Sequence, residues 1–341
     1  MLERCSETEG ALLMEPIDSS SPLEGLLWPA PRTFFGAPST RNIATMDAQV
    51  AFLGVPYDAG TIQPMIRTGQ SAGPAWARMG STNQLEYRWP PGASGSGGAA
   101  GWYDVEADRD YLVGVTMADV GDVAIVGAEI ERNLDRTTEV TRRLVERGSL
   151  VVAVGGDHSI SFPVARGMES VGPIDVVHID AHPDFADEYF GSKFTHGSQL
   201  RRISELSFVR SVTGLGFRNA TRDDIDPMRA AGHGFATTKD MIEQGPAEVV
   251  KRLVPESERL YVSIDIDVLD LAIVPGTTLP EPGGLSYRQL RETLVEVARR
   301  GRVVGFDIVE LNAPYDHVGA AARITTWAMV HFLSEIFDQA G

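Results

Sequence analysis

Asp180-Ala181-His182-Pro183-Asp184 and Asp265-Ile266-Asp267 place aspartates and a histidine at alternate positions, and a lone His158 precedes them in Gly155-Gly156-Asp157-His158-Ser159. Residues two apart in an extended segment face the same side, so each cluster presents its side chains together. Six candidate ligands, four of them carboxylates, are enough to hold two divalent cations side by side. Carboxylate and imidazole donors without thiolate suit Mn²⁺, Ni²⁺, Fe²⁺ or Zn²⁺ and do not suit a cysteine-based structural zinc. Two such cations balance four aspartates, which leaves a near-neutral core that tolerates a cationic substrate. Ions about 3.5–4 Å apart make hydroxide near neutral pH and orient it for attack. A single Asp-x-Asp is often a turn or a cap, and a single histidine is more often structural than a ligand. The metal reading therefore rests on all the motifs meeting at one place.

The elements that must position them are legible as apolar runs. Ala51–Val55, Val123–Val126, Leu150–Val154, Ile174–Ile179, Val209–Leu215, Leu260–Ile264 and Val303–Phe306 read as strands, several of them apolar enough to be buried on both faces. Helical stretches separate most of them, among them 130–146, 286–300 and roughly 320–337. Strands alternating with helices predict an α/β fold, a mostly parallel sheet covered on both faces. His158, Asp180, Asp265 and Glu310 each follow the end of such a run. Ligands of open α/β sheets bind beyond the carboxyl ends of the strands, so four motifs there predict one shared site.

Composition sets the frame. The chain has 341 residues, 43% of them apolar, enough for one large α/β domain. Its net charge of -17 repels nucleic acid and anionic lipid. A single cysteine, Cys5, forbids a disulfide within one chain and fits a reducing compartment. There is no apolar run of transmembrane length, and Met1 to Ser21 is polar and acidic without the core of a signal peptide, so the expected location is cytoplasmic, away from membranes. Residues 1–48 read as an N-terminal extension whose Trp28-Pro29-Ala30-Pro31-Arg32 stretch and Phe34-Phe35 pair could wrap over a neighbour, with 49–341 as the catalytic domain. The Gly/Ser-rich 91–98 segment reads as a flexible loop.

Taken together, Gly155–Ser159, Asp180–Asp184, Ser263-Ile-Asp-Ile-Asp-Val-Leu-Asp270, Pro280-Glu-Pro-Gly-Gly-Leu-Ser-Tyr287 and Gly305-Phe-Asp-Ile-Val-Glu-Leu-Asn312 resemble the ureohydrolase family of arginases and agmatinases. The likeness spans roughly residues 50–338, keeps the motif order and is nearest to the agmatinase-like branch around Asp180–Arg202. It implies a three-layer α/β/α fold and a binuclear centre, usually manganese, with nickel in some relatives. It implies one metal on His158, Asp180, Asp184 and Asp265, and a second on Asp180, His182, Asp265 and Asp267, with Asp180 and Asp265 bridging. His196 matches the proton-shuttling histidine and Glu310 the carboxylate that receives the guanidinium. The implied reaction is attack of a metal-bridging hydroxide on a guanidinium carbon, releasing urea or a substituted urea plus an amine. The implied assembly is a trimer or hexamer, or a hetero-oligomer with a related subunit.

The chemistry of those two residues agrees. A carboxylate can grip two N–H groups of a planar guanidinium, and a histidine titrating near neutrality can protonate the departing amine. Asp157 reads as a partner that orients His158 or a loop backbone. The chain leaves the family pattern in two loops. Asp184-Phe-Ala-Asp-Glu-Tyr-Phe190 lacks the asparagine by which arginases hold the amino-acid end of arginine. Its Asp187 and Glu188 could attract an amine, and Tyr189, Phe190 and Phe194 could wall an apolar pocket. Gln63 to Pro74 replaces a stretch typical of agmatinases, which leaves guanidinobutyrate, guanidinopropionate, guanidine and biguanides such as metformin open beside agmatine. A non-catalytic partner subunit and a single-zinc deacetylase on the same kind of sheet are the readings from other classes.

Overall fold

A computed structural model describes residues 26–62, 66–85, 101–127 and 129–339. Cys5, the Met1–Ser21 segment, the 91–98 loop and Gln63–Met65 lie outside the described residues. The strands are β1 Leu27–Trp28, β2 Val50–Val55, β3 Trp102–Asp104, β4 Arg109–Tyr111, β5 Met117–Val123, β6 Leu150–Gly155, β7 Ile174–Ile179, β8 Val209–Phe217, β9 Gly234–Thr237, β10 Ser257–Asp265 and β11 Gly301–Val309. Nine of them form one sheet in the order β1-β5-β2-β6-β11-β10-β7-β8-β9, while β3 and β4 form a separate hairpin. Among the described residues of the large sheet only β1 runs antiparallel, against β5.

The alternation of side chains along β2 and β6 builds two cores, one on each face. Phe52, Val152 and Val154 pack with Ala77, Leu290, Leu294 and Phe332, whereas Ala51, Leu53, Val151 and Ala153 pack with Val140, Leu144, Val164 and Leu200. The helices Gly73–Leu85, Tyr287–Arg299 and Ala320–Gln339 thus cover one face, and Ile130–Glu146, Ser161–Arg166 and Gln199–Ser204 the other. This is the expected three-layer α/β/α arrangement. Burial on both faces explains the continuous apolar runs, since neither side of a strand meets water. Among the described residues no helix is long and apolar enough to cross a membrane.

Two expectations differ from what is seen. The strand expected at Val123–Val126 is β5, which ends at Val123. Its Asp119 and Asp122 disguise it as a polar segment. Arg78, itself buried, neutralises both: its Nε lies 2.9 Å from Asp119 Oδ2 and its Nη1 2.6 Å from Asp122 Oδ1. Phe34 and Phe35, read as an arm for a neighbour, are buried in this chain's own core against Phe52, with ring centroids 5.3 and 5.4 Å away. Trp28 pairs with Asp122 at the sheet edge. Arg78 ties these pieces together, because Asp119 also accepts the N–H of Phe34 at 2.9 Å.

Replacing Arg78 with alanine leaves Asp119 charged and buried without its partner. Breaking a buried pair from one side costs about 3–5 kcal/mol. The expected loss is of that size, measured by denaturant unfolding of Arg78→Ala. A change below about 1 kcal/mol would contradict this account of β5.

Candidate metal centre

The motifs leave the sheet at four neighbouring strand ends. β6 delivers His158, β11 delivers Glu310, β10 delivers Asp265 and Asp267, and β7 delivers Asp180, His182 and Asp184. In chain order β6 and β7 are one consecutive pair and β10 and β11 another, and the sheet sets the second pair between the strands of the first as β6-β11-β10-β7. The reordering turns three sequence clusters into one.

Local chemistry shapes each turn. Gly156 has no Cβ because one would sit 2.0 Å from the Tyr57 carbonyl oxygen, which lets the loop after β6 lie directly against the loop after β2. Asp157 fastens that contact. Its carboxylate accepts the N–H groups of Gly60 at 2.7 Å, Thr61 at 2.9 Å and Ser159 at 3.0 Å. Its role is to organise the loop backbone. Asp184 and Glu310 both adopt left-handed backbone, with φ of 48° and 66°. Such geometry in non-glycine residues costs of order 1–3 kcal/mol and persists where the surroundings impose it. For Glu310 the N–H bonded to the Gly156 carbonyl at 3.0 Å is part of that framework.

Six predicted ligands converge in two foci. His158 Nδ1 lies 3.0 Å from Asp180 Oδ2, 3.1 Å from Asp184 Oδ2 and 3.2 Å from Asp265 Oδ2. His182 Nδ1 lies 3.1 Å from Asp267 Oδ2 and 3.4 Å from Asp180 Oδ1. Asp180 turns one oxygen to each focus. Asp265 and Asp267 are cross-linked, since Asp265 Oδ1 accepts the Asp267 N–H at 2.8 Å.

Whether this set fits divalent cations can be judged from the tautomer of His158. Its Nε2 is 2.8 Å from Ser263 Oγ. Ser263 in turn donates to Asp307 Oδ1 at 2.9 Å, and Tyr261 donates to Asp307 from the other side. A hydroxyl that has given its proton to a carboxylate must accept from the imidazole, so His158 carries its proton on Nε2. Nδ1 then faces three carboxylate oxygens, and among the described residues neither His158 Nδ1 nor Asp180 Oδ2 has a hydrogen-bond partner. With Nε2–H committed to Ser263, Nδ1 is the nitrogen that meets those oxygens, through a proton or a cation held between them.

Electrostatics say the same. Burial, then the charges of Asp267 and Asp180, push the Asp265 carboxyl well above the usual range. Asp267 is raised for the same reasons, burial first and Asp180 next. His158 holds a proton far more tightly than an ordinary imidazole, against the opposing pull of burial, because Asp180, Asp184 and Asp265 surround it. The cluster demands positive charge, and divalent ions supply more of it than a ring proton.

His196 and Glu310 share a cavity of about 230 Å³ with His182, Asp184, Asp265 and Asp267. His196 is held by its N–H on the Gly60 carbonyl at 3.1 Å, and its buried Nε2 has no partner among the described residues. Glu310 accepts from the His158 N–H at 2.8 Å and from Gln70 Nε2 at 3.0 Å. Burial pushes its carboxyl up to about 7, although Gln70, the His158 N–H and Thr278 pull it down.

The loop acids and aromatics fall out differently. Asp187 is tied to Arg202 at 2.9 Å, with Arg201 and Lys193 nearby, and does not line the cavity. Phe194 stacks on Phe162, Phe190 is 71% exposed, and of the three aromatics only Tyr189 lines the cavity. The acids at the rim are instead Asp224 and Glu281, with Glu281 Oε1 3.5 Å from His182 Nε2.

Sequence reading did not single out His178, Ser263, Asp307 and Gln70. His178 Nε2 donates to the His182 carbonyl at 3.1 Å and lies 3.1 Å from Asp180 Oδ2. A signal existed for the first three, each a polar residue inside a strand otherwise buried on both faces. Because Ser263 sets the His158 tautomer, Ser263→Ala is expected to weaken metal affinity by about 10- to 100-fold. Titration with a metallochromic chelator measures it, and unchanged affinity would remove Ser263 from this role.

A parallel α/β/α sheet carrying a buried histidine–carboxylate cluster beyond its carboxyl ends is the architecture of a metal-binding hydrolase. Residues 48–337 match the Arginase family, and the chain belongs to that family. It is 31% identical over 289 residues to an agmatinase of Pyrococcus horikoshii, covering 84% of this chain and 91% of the relative. It is 31% identical over 320 residues to a guanidinopropionase of Pseudomonas aeruginosa, covering 90% and 92%. Among solved structures, proclavaminate amidino hydrolase from Streptomyces clavuligerus superimposes with a TM-score of 0.78 at 26% identity, over 89% of this chain and 96% of that one. The protein is accordingly a ureohydrolase-class enzyme acting on the amidino C–N bond of guanidino compounds.

Proposed function

We propose that the chain is a binuclear metallohydrolase whose substrate is a guanidino compound with a cationic or neutral tail, agmatine being the type case. The observation that supports the metal assignment is His158 Nδ1, turned away from Ser263 and within 3.2 Å of three carboxylate oxygens. One cation belongs to His158, Asp180, Asp184 and Asp265, the other to Asp180, His182, Asp265 and Asp267. Mn²⁺ is the proposed occupant, with Ni²⁺ the alternative, on the strength of the family resemblance; the oxygen and imidazole donors suit either. When bound, the pair supplies Lewis acidity and a water-derived nucleophile at neutral pH.

The chain's own groups do the rest. Glu310 grips the guanidinium through two N–H groups and sets its carbon toward the ligand cluster. His196, partnerless at Nε2 among the described residues and lining the same cavity, gives a proton to the departing amine. The tail is constrained by charge. Among the described residues no lysine or arginine lines the cavity, whereas Asp224 and Glu281 stand at its rim. A terminal carboxylate would meet acids without a counter-charge, while an ammonium would be welcomed. That argues against guanidinobutyrate and guanidinopropionate although relatives are named for them.

The test is one panel on protein of known metal content. Urea or amine release is followed with agmatine, guanidinobutyrate, guanidinopropionate, guanidine and metformin. Agmatine is expected to be preferred. Preference for either carboxylate-tailed compound would refute the tail argument, and no release from any compound would refute the reading as a whole.

A further inference from the structure

The segment Gln63 to Pro74, where the chain leaves the family's pattern, contains Gln70, which is completely buried. Its carboxamide is fully engaged. Nε2 donates to Glu310 Oε2 at 3.0 Å and to Thr61 Oγ1 at 3.0 Å, and Oε1 accepts the Gly69 N–H at 2.9 Å. The reverse orientation of the amide would set its oxygen against the Glu310 carboxylate, so the acceptor dictates which way it faces. Nearby, Asn312 Nδ2 donates to the Arg67 carbonyl at 3.0 Å. The loop after β2 and the loop after β11 therefore meet at the carboxylate that faces the cavity.

Glu310 has three side-chain torsions to fix. Its Oε1 is anchored by the His158 N–H and its Oε2 by Gln70, with Thr278 as a further donor. Without Gln70 the carboxylate loses the donor that holds Oε2 and can swing about the Oε1 anchor. A displacement of about 1 Å in a group that aims the substrate costs on the order of 100-fold in rate.

We propose that Gln70 is a positioning residue for guanidino hydrolysis, holding the Glu310 carboxylate in the plane that grips the guanidinium. The proposal rests on the ureohydrolase reading above. It acts at the guanidinium end, so its effect is the same whatever the substrate's tail.

Gln70→Met keeps the side-chain length and removes the amide. The expected result is a fall in kcat of about 10- to 100-fold with KM within about threefold of wild type, by the same factor for every guanidino substrate the wild type accepts. Metal content and Tm are expected to match wild type. Unchanged kcat overturns the proposal. So does a loss of metal or of Tm that accounts for the lost activity, because that is the signature of a loop support alone. If Gln70→Met does not fold, Gln70→Glu preserves the shape but replaces the amide donor, and the same kcat-specific loss is expected; wild-type kinetics in it overturn the proposal. Failure of the wild type to release urea from any guanidine overturns the underlying reading instead, a result distinct from wild-type-like kinetics in the variants.

Discussion

Asp265→Ala is expected to abolish hydrolysis and to empty at least one metal position. Asp265 contributes one oxygen at the His158 focus, and its other oxygen orients Asp267, which belongs to the His182 focus. Its removal therefore disturbs both. Losing a single electrostatic donor aimed at a transition state costs about 10²–10³ in kcat. Losing a cation along with its ligand should exceed that, on the order of 10³-fold or more. Elemental analysis and urea release measured on one preparation check the prediction, and two metals per chain with near-normal turnover would defeat it.

The same substitution carries an informative contrast in stability. Without cations, Asp265 is pushed up by burial and by its carboxylate neighbours, so its removal relieves strain. With cations bound to the native state only, the wild type gains stability by mass action. Chelator treatment should thus lower the Tm of the wild type by more than that of Asp265→Ala, which has fewer cations to lose.

Glu310→Gln is expected to keep both metals and lose catalysis. The two side chains have the same shape, yet only the carboxylate is an acceptor at both oxygens. In the glutamine variant an NH₂ group must face the His158 N–H or Gln70 Nε2, donor against donor, and the side chain can no longer pair with a guanidinium charge. Burial holds the wild-type carboxyl up to about 7, and a guanidinium supplies the opposite charge that favours its ionised form. The expected loss in kcat/KM is roughly 10²- to 10³-fold, consistent with losing a charge-assisted pair and the aim it provides. Steady-state kinetics on metal-replete protein measure it; a loss below about threefold would exclude Glu310 as the guanidinium acceptor.

These two residues show how differently parts of the site could be read in the chain. Asp265 stands in a motif whose residue types and spacing point to ligation, but the fold brings Asp267 round through the 3₁₀ turn Ile266–Val268 and not along an extended strand. Asp180, His182 and Asp184 likewise lie in the loop after β7, with Asp184 in left-handed backbone. Glu310 was legible from its place after the Val303–Phe306 run and from the family-like motif Gly305–Asn312. Its left-handed backbone and its three donors depend on segments distant in the chain. Asp187 is the opposite case, an acid in a suggestive loop that Arg202 neutralises.

By itself the sequence determined the layered α/β/α class, the two clusters of ligand-type residues and their placement at strand ends, because hydrophobic runs and two-residue spacing are local properties of the chain. Tertiary structure alone decided that β6, β11, β10 and β7 are neighbours, that Ser263 and Asp307 orient His158, that Arg78 makes β5 a strand in spite of its aspartates, and that Gln70 reaches Glu310. Each of these joins residues remote in sequence through strand pairing or a buried polar contact. Such contacts are energetically decisive when desolvated, and no spacing along the chain encodes them.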